Sequence, residues 1–268
     1  MNNIFGFIGT GNMGGALARA CAKAVPAENL LLSDGYAPVA QALAKELGCS
    51  AVEVAEAAKK ANFLFLGVKP QVMADMLGGI APILAARQND FVLVSMAAGL
   101  SIQKIRAMAG GDYPVIRIMP NIPAKTGNGV ILFDATENVT REDLDAFQNA
   151  MAGAGLVDRL PEKLIDAGSA LSGCGPAFVA LFAEALADGA VQCGLPRDKA
   201  LSYALQTIAG TAQYLQQSGQ HPAQLKDAVC SPGGTTIVGV HALEEGAFRA
   251  TAAEAVLSAY RRTLELAD

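Results

Sequence analysis

The feature that most constrains this chain is a glycine pattern that lies between an apolar run and an amphipathic segment near residue 10. Residues 4–8 (IFGFI) have the composition of a short buried strand, and Gly9, Gly11 and Gly14 follow directly. Residues 14–25 then have the pattern of a helix. A strand, a glycine turn at this spacing and a helix together predict the start of a βαβ unit that binds a dinucleotide.

Each glycine has its own role in such a turn. Gly9 allows the tight turn, Gly11 lets a pyrophosphate approach the backbone, and Gly14 lets the helix pack closely on the strand. The pyrophosphate is then expected at the helix N-terminus, where free N–H groups and the helix dipole favour negative charge. An accidental glycine turn is the alternative, and the strand, the helix and the βαβ repeat argue against it.

The first part of the chain alternates apolar strands with helical segments, which predicts a parallel sheet covered by helices on both faces. Strands are predicted at residues 4–8, 30–33, 63–68, 91–95 and 115–119, with a last pair near 130–133 and 156–158. Helices are predicted at residues 14–25, 38–47, 72–86, 101–109 and 140–152. Gly48 stands where the second helix needs its C-terminal cap.

After Pro161 the sequence indicates only helices. They are predicted at residues 164–171, 176–193, 196–218, 222–229 and 236–267, the last broken at Gly246. Residues 177–193 are apolar around most of the helix, which predicts burial in a core or in a subunit interface. The predicted fold class is therefore α/β, with an N-terminal Rossmann-like dinucleotide-binding domain (residues 1–160) followed by an all-helical dimerisation and substrate domain (residues 161–268).

Composition limits the partners and the location of the chain. Because 52% of the residues are hydrophobic and only 17% are charged, we expect a homo-oligomer that covers apolar surface. A net charge of −5 without a Lys/Arg run predicts no nucleic-acid partner, and no unbroken apolar run is long enough to predict a membrane partner. Scattered cysteines, two histidines and a start without basic residues predict a cytoplasmic protein without a metal site.

The end of the second strand bears on the choice of cofactor. Asp34 follows Gly14 by twenty residues, where an acid binds the ribose hydroxyls of NAD, and a turn cap is an equal alternative. Ser33 is a candidate donor to the 2′-phosphate of NADP. The residues themselves therefore leave NADP(H) and NAD(H) both open.

Three more strand ends are expected beside the cofactor, because ligands of open α/β sheets bind at the carboxyl ends of the strands. The predicted cofactor-binding residues are Gly9, Thr10, Gly11, Asn12, Met13, Gly14, Ser33, Asp34, Val68, Lys69, Pro70, Ala97 and Ala98. Asn121, after the fifth strand, is predicted to bind the nicotinamide or the substrate, with a structural turn as an equal alternative.

A second glycine turn interrupts two helices in the later part of the chain. Ser231, Gly233, Gly234, Thr235 and Thr236 combine a Gly-Gly pair with hydroxyl groups at a helix start. Such a set of N–H and O–H donors is suited to a carboxylate or a phosphate. An ordinary interhelical turn with a threonine cap would account for only part of the set, so we predict a substrate-binding loop.

These segments, in this order, resemble one family. The start GFIGTGNMGGALA (residues 6–18) is similar to many dinucleotide-binding dehydrogenases. The later segments resemble pyrroline-5-carboxylate reductase, and they are FLGVKPQ (65–71), MAAGLSI (96–102), VIRIMPNIPA (115–124), ALSGCGPAF (170–178) and PAQLKDAVCSPGGTTIVGVHALEEG (222–246). The resemblance spans essentially the whole chain, and the last segment is the most specific.

The resemblance implies an enzyme that reduces the cyclic imine 1-pyrroline-5-carboxylate to L-proline with NADPH or NADH. It also implies a helical dimerisation domain, and decamers in some members of the family. By the same resemblance, the substrate carboxylate binds Ser231, Gly234, Thr235 and Thr236. The cofactor contacts carry over to Thr10, Asn12, Met13, Ser33, Val68, Lys69 and Ala97.

The chain departs from the family pattern at two places. Residues 218–220 read Ser-Gly-Gln where some relatives carry an acid near the proline nitrogen, and Ala228 stands where an asparagine is often found. These departures put individual contacts in doubt and leave the implied activity intact.

The sequence does not place a histidine or a carboxylate pair for general acid catalysis. An imine can arrive already protonated near neutral pH, so we expect positioning to be the main contribution of the protein. Ser169 resembles a hydroxyl position considered for proton donation, and Thr236 is the other predicted catalytic residue. His221 and His241 are expected to be structural.

Two other functions are compatible with parts of the sequence. A β-hydroxyacid dehydrogenase would need a lysine in a G-x-x-x-K-x-x-N setting, which neither Lys199 nor Lys226 has. A dinucleotide-sensing protein without catalysis would account for the missing acid, and it would bind the cofactor without turnover.

Overall fold

A computed structural model describes residues 3–267. Met1, Asn2 and Asp268 lie outside the described residues. The prediction that the chain has no signal peptide rests partly on Met1 and Asn2, and for them it lies outside the described residues. The described chain divides into two compact units, the first reaching to Gly173 and including the segment from Tyr260, the second comprising Cys174–Ala259. The predicted domain boundary near residue 160 follows a change in sequence pattern, and it stays a prediction.

The first unit contains one sheet. Its strands, among the described residues, are β1 (Phe5–Ile8), β2 (Leu30–Ser33), β3 (Ser50–Ala51), β4 (Phe63–Leu66), β5 (Val92–Ser95), β6 (Val115–Pro120), β7 (Gly129–Ala135) and β8 (Gly155–Arg159). Their order in the sheet is β3-β2-β1-β4-β5-β6-β7-β8. Strands β2 and β4 lie on opposite sides of β1, so the chain crosses over β1 between the two halves of the sheet. This strand order is that of a Rossmann-like fold, as predicted.

The prediction of a parallel sheet is wrong at one junction. Strands β6 and β7 pair antiparallel, and β8 runs parallel to β7. Only residues 121–128 connect β6 to β7, whereas a parallel crossover needs a dozen residues or more and normally a helix. The chain therefore reverses direction after β6 through a short 3-10 turn at Ile122–Thr126.

The helices of the first unit cover both faces of this sheet. They are α1 (Asn12–Cys21), α2 (Ala37–Leu47), α3 (Val54–Lys60), α4 (Pro70–Ala85), α5 (Ile102–Ala109), α6 (Arg141–Met151) and α7 (Glu162–Ser172). Alternate residues of each strand enter separate cores, so Phe63 and Phe65 pack under α1 and α6 while Leu64 and Leu66 pack under α3 and α4. Phe7 stacks on Phe65 with ring centroids 4.3 Å apart.

Several predicted boundaries move and two elements are new. Helix α1 begins at Asn12 rather than Gly14, and it ends at Cys21 rather than Val25. The sequence prediction omitted β3 and α3, which are both short and therefore leave little periodicity to detect. Gly48 caps α2 with a left-handed φ of 69°, as predicted.

The second unit is helical. Its helices are α8 (Gly175–Gln192), α9 (Arg197–Ser218), α10 (Pro222–Ala228) and α11 (Thr235–Glu245), and α12 (Phe248–Ala267) begins in it. The predicted break near Gly246 is present. Helices α8 and α9 form a hairpin around a small core in which Ala187, Ala200 and Ala204 are buried.

The apolar helix predicted to be buried on all sides is open to solvent in the single chain. On α8 only Ala183 and Ala187 are buried, while Leu181 is 67% exposed and Val179 is 48% exposed. The core alternative is therefore wrong, and the subunit-interface alternative is the one that fits. By length and composition alone, the segment Glu162–Gln192 is also apolar enough to cross a membrane.

Candidate active site

The glycine turn joins β1 to α1 through direct backbone contact. Gly9 has a left-handed φ of 91°, and its N–H donates to the carbonyl oxygen of Ser33 over 2.8 Å. A Cβ on Gly14 would lie 2.0 Å from the carbonyl oxygen of Gly9, a distance that no side chain can occupy. The predicted roles of Gly9 in the turn and of Gly14 in close packing therefore match the geometry.

A fourth glycine takes part in this contact and was not predicted. A Cβ on Gly67 would lie 2.4 Å from the same carbonyl oxygen of Gly9. The N–H of Gly67 donates to the carbonyl oxygen of Ile8 over 2.7 Å. Gly67 comes directly after the buried strand β4, next to β1 in the sheet. A glycine at the end of the strand Phe63–Leu66 was the available signal.

The start of α1 is open, as a pyrophosphate site requires. Gly11 is the N-cap residue and no side chain caps the helix there. A Cβ on Gly11 would have no protein atom within 4 Å. Asn12 is exposed and Met13 is half-buried. The unpaired N–H groups of a first helical turn and the open space above Gly11 fit a dinucleotide pyrophosphate.

Asp34 already has partners within the protein. Its Oδ2 accepts from the N–H of Thr10 over 2.7 Å and from the Thr10 hydroxyl over 3.3 Å, and its Oδ1 accepts from the N–H of Tyr36 over 3.0 Å. This is the turn-cap alternative, and it holds the glycine turn against the end of β2. Ser33 is only 1% exposed.

The remaining predicted cofactor residues of the first unit lie at neighbouring strand ends. Lys69 is exposed at the N-cap of α4, Pro70 is its first residue, and Val68 is half-buried beside them. After β5, Ala97 is buried and Ala98 is exposed. Because β2, β1, β4 and β5 are adjacent and parallel, these residues share the carboxyl edge of the sheet with the glycine turn.

Asn121 has the structural role that was its predicted alternative. It is 7% exposed, its Nδ2 donates to the carbonyl oxygen of Ser172 over 2.9 Å, and its Oδ1 accepts from the N–H of Val130 over 2.9 Å. The amide thus joins the end of α7 to β7. To bind the substrate or the nicotinamide, Asn121 would have to use the same Nδ2 and Oδ1 atoms. That role stays a prediction.

Ser169 lies on α7, half-buried and one turn before the helix ends. Its carbonyl oxygen accepts from the N–H of Gly173 over 2.7 Å, and a Cβ on Gly173 would lie 3.0 Å from its hydroxyl oxygen. The glycine therefore leaves room for the Ser169 hydroxyl at the helix end.

The second glycine turn, in the second unit, presents its donors to solvent. The N–H of Gly234 donates to the carbonyl oxygen of Ser231 over 3.0 Å, with Pro232 and a left-handed Gly233 (φ 68°) between them. Proline and then glycine at these positions form a type II turn. Gly234 caps α11 without a side-chain hydrogen bond, and the exposed Thr235 and Thr236 begin the helix.

Both histidines contact groups close by in the sequence, and their structural role stays a prediction. His221 caps α10, accepting from the N–H of Ala223 through Nδ1 over 3.2 Å, and His241 lies 3.5 Å from Glu245 one turn along α11. Among the described residues no three His, Cys, Asp or Glu side chains are grouped as metal ligands would be. All five cysteines are free thiols, and burial raises the pKa of the Cys21 thiol.

Comparison with known families gives matches over both parts of the chain. Residues 162–266 match the family model for pyrroline-5-carboxylate reductase dimerisation, and residues 4–99 match the model for NADP oxidoreductase, coenzyme F420-dependent. Among curated proteins, the chain is 39% identical over 264 residues to pyrroline-5-carboxylate reductase of Pisum sativum, covering 97% of this chain and 95% of the relative. It is 46% identical over 211 residues to that of Synechocystis sp., covering 79% and 77%.

Solved structures agree with the sequence matches. The chain is similar to a pyrroline-5-carboxylate reductase from Coxiella burnetii, with a TM-score of 0.93, 28% identity and full coverage of both chains. It is also similar to the Plasmodium falciparum pyrroline carboxylate reductase with NADP bound, with a TM-score of 0.87, 32% identity, and 100% and 99% of the two chains covered.

Proposed function

The chain belongs to the pyrroline-5-carboxylate reductase family, and from this premise we propose which of its residues hold the two reactants. The protein is an oxidoreductase that reduces 1-pyrroline-5-carboxylate to L-proline, the last step of proline biosynthesis. Its cofactor is NADP(H). Use of NAD(H) as well is part of the proposal.

The observation that carries the substrate assignment is the geometry of residues 231–236. The type II turn leaves the N-terminus of α11 without a side-chain cap, so the backbone N–H groups of its first turn are available. The hydroxyls of Ser231, Thr235 and Thr236 add donors around the same turn. A helix N-terminus with several hydroxyls favours a carboxylate, and we assign the substrate carboxylate to it, with Gly233 and Gly234 supplying close backbone approach.

The cofactor is assigned to the carboxyl edge of the sheet. The open Gly11 and the first turn of α1, with Asn12 and Met13, take the pyrophosphate. Thr10, Lys69 and Ala98 lie on the loops at the same edge. Asp34 positions the glycine turn through Thr10, and a hydroxyl of the adenosine ribose would have to share its carboxylate oxygens.

The chain contributes to the chemistry mainly by orientation. When bound, NADPH supplies the hydride that reduces the C=N carbon. A protonated imine is a far better hydride acceptor than a neutral one, and an imine can arrive already protonated near neutral pH. The protein then has to hold the substrate carboxylate and exclude other orientations of the imine. This raises the fraction of bound substrate in which the imine carbon is placed for hydride transfer. For an imine that arrives neutral, Ser169 is the proposed hydroxyl that donates the proton to its nitrogen.

The activity is tested by following the oxidation of NADPH, and separately of NADH, on addition of 1-pyrroline-5-carboxylate. We expect turnover that forms proline in proportion to the cofactor consumed. Binding of NADPH without turnover would favour the sensing alternative, and oxidation of a small 3-hydroxy acid instead would favour the hydroxyacid dehydrogenase.

The carboxylate assignment is tested with Thr236→Ala. Loss of a hydrogen bond to a charged group costs about 1.5–3 kcal/mol, so the KM for pyrroline-5-carboxylate should rise about ten-fold or more, while the KM for NADPH changes little. The matched control is Thr251→Ala, an exposed threonine on α12 outside the turn. An equal rise in both KM values for Thr236→Ala would count against the assignment.

The family model places a dimerisation region on residues 162–266, so the protein self-associates. We propose a homodimer or higher oligomer that covers the exposed apolar face of α8, with residues 161–268 as the dimerisation and substrate domain. A cytoplasmic location, without membrane or nucleic-acid partners, completes the proposal.

A further inference from the structure

A cluster of charged side chains lies between β6 and α7, within the first unit. Arg117, on β6, is only 4% exposed. Its Nη2 lies 2.7 Å from Oδ1 of Asp166, and its Nη1 lies 3.4 Å from Oε1 of Glu162, both on α7. Because a buried guanidinium needs charged partners, this cluster fixes the first two turns of α7 against the sheet.

One member of the cluster reaches a different part of the molecule. Oε1 of Glu162 accepts a hydrogen bond of 2.7 Å from the backbone N–H of Ile102, sixty residues earlier in the chain. Ile102 is the first residue of α5, so its N–H has no partner within the helix. The N-cap side chain of Ser101 accepts from Lys104 and leaves the Ile102 N–H to Glu162.

Residues 97–100, which precede the N-cap residue Ser101, are weakly held by their own hydrogen bonds. The N–H of Ala97 donates to the Ser95 hydroxyl over 3.4 Å, and the N–H of Leu100 donates to the carbonyl oxygen of Ala97 over 3.5 Å. Gly99 between them has a left-handed φ of 75°. The bond from Ile102 to Glu162 is shorter than either by more than half an ångström, and it involves a charged acceptor.

We propose that Glu162 is a positioning residue for the cofactor, which acts by fixing the end of the loop formed by residues 97–101. The inference rests on the proposed function, which assigns the cofactor to the edge where Ala98 lies, and on the predicted cofactor contacts of Ala97 and Ala98. Arg117 holds the Glu162 carboxylate, the carboxylate holds Ile102, and the loop is thereby preorganised for binding. Without this contact, the loop has to become ordered when NADPH binds. The free energy of that ordering is subtracted from the binding free energy, so the affinity for NADPH is lower.

The experiment measures the dissociation constant of NADPH, without substrate, by fluorescence titration of the folded protein. For Glu162→Ala we expect the Kd to rise about ten-fold, equivalent to about 1.4 kcal/mol. Glu162→Gln keeps an acceptor oxygen at the same place and should stay within about three-fold of the wild type. The KM for pyrroline-5-carboxylate should change less than the Kd of NADPH in both variants.

The matched control is Asp166→Ala, which removes the other partner of Arg117 and leaves the Ile102 contact in place. It should lower the thermal midpoint but keep the wild-type Kd within about two-fold. An equal rise in Kd for Asp166→Ala and Glu162→Ala would overturn the proposal, as would a wild-type Kd for Glu162→Ala.

If Glu162→Ala does not fold, Glu162→Asp serves in its place, because it keeps a charge near Arg117 but withdraws the acceptor from Ile102. A raised Kd for NADPH is again expected, and a wild-type Kd would again refute the inference. Since the titration needs no turnover, a protein that binds NADPH but does not reduce pyrroline-5-carboxylate would contradict the proposed function without affecting this result.

Discussion

Replacing Gly14 with alanine would place a methyl group 2.0 Å from the carbonyl oxygen of Gly9. An ordinary C···O separation is about 3.3 Å, so α1 and the turn would have to separate by about 1.3 Å. The oxygen is backbone and packs against Gly67 on the other side, so it has little room to move. We expect a destabilisation of about 1–3 kcal/mol, the usual cost of forcing extra volume into a packed contact.

The matched substitution is Gly11→Ala, at the N-cap of α1 in the same turn. Its Cβ would have no protein atom within 4 Å, and the Gly11 φ of −65° suits alanine. Because alanine is a poorer N-cap than glycine, its free energy of unfolding should fall by about 0.5–1 kcal/mol, less than that of Gly14→Ala. The new methyl group would instead occupy the space assigned to the pyrophosphate, so the Kd of NADPH should rise about ten-fold or more.

Two measurements separate these effects. Thermal unfolding without cofactor should show the midpoint of Gly14→Ala lowered by about 2–12 °C and that of Gly11→Ala lowered less. Titration with NADPH should show the weaker binding of Gly11→Ala at a temperature where both variants are folded. A wild-type thermal midpoint for Gly14→Ala, or wild-type NADPH affinity for Gly11→Ala, would refute the interpretation of the turn.

Three further substitutions test other parts of the structure. Asn121→Ala removes both hydrogen bonds of a buried amide, so the free energy of unfolding in urea should fall by about 1–3 kcal/mol. Unchanged stability together with lost substrate binding would show instead that Asn121 binds the ligand. Arg87→Met should cost about 1–3 kcal/mol, because the guanidinium lies 4.2 Å from the Phe91 ring centroid and donates to the carbonyl oxygen of Ala58 over 2.8 Å. Stability unchanged within about 0.5 kcal/mol would contradict this. Leu181→Asp should dissociate the oligomer, as measured by sedimentation velocity. The control is Leu156→Asp, at an exposed leucine of the first unit, which should leave the oligomer intact. An intact oligomer for Leu181→Asp would exclude α8 from the interface.

Local signals in the sequence were sufficient for most of the fold. The strands at residues 30–33 and 63–66 and the turn between β1 and α1 depend on neighbouring residues, whose alternation and glycine spacing are visible along the chain. The helices of the second unit were equally clear, because helical periodicity is repeated over many turns. The predicted break of the last helix near Gly246 follows from the same local chemistry.

Tertiary structure decided what depends on residues distant in the sequence. The direction of β7 follows from a connection too short for a parallel crossover, and the role of Asp34 follows from its position beside Thr10, twenty-four residues earlier. The contact between Glu162 and Ile102 could not be predicted, because no local pattern relates two residues sixty positions apart. Periodicity and turn chemistry act within a few residues, whereas the pairing of polar groups depends on how the strands and helices pack.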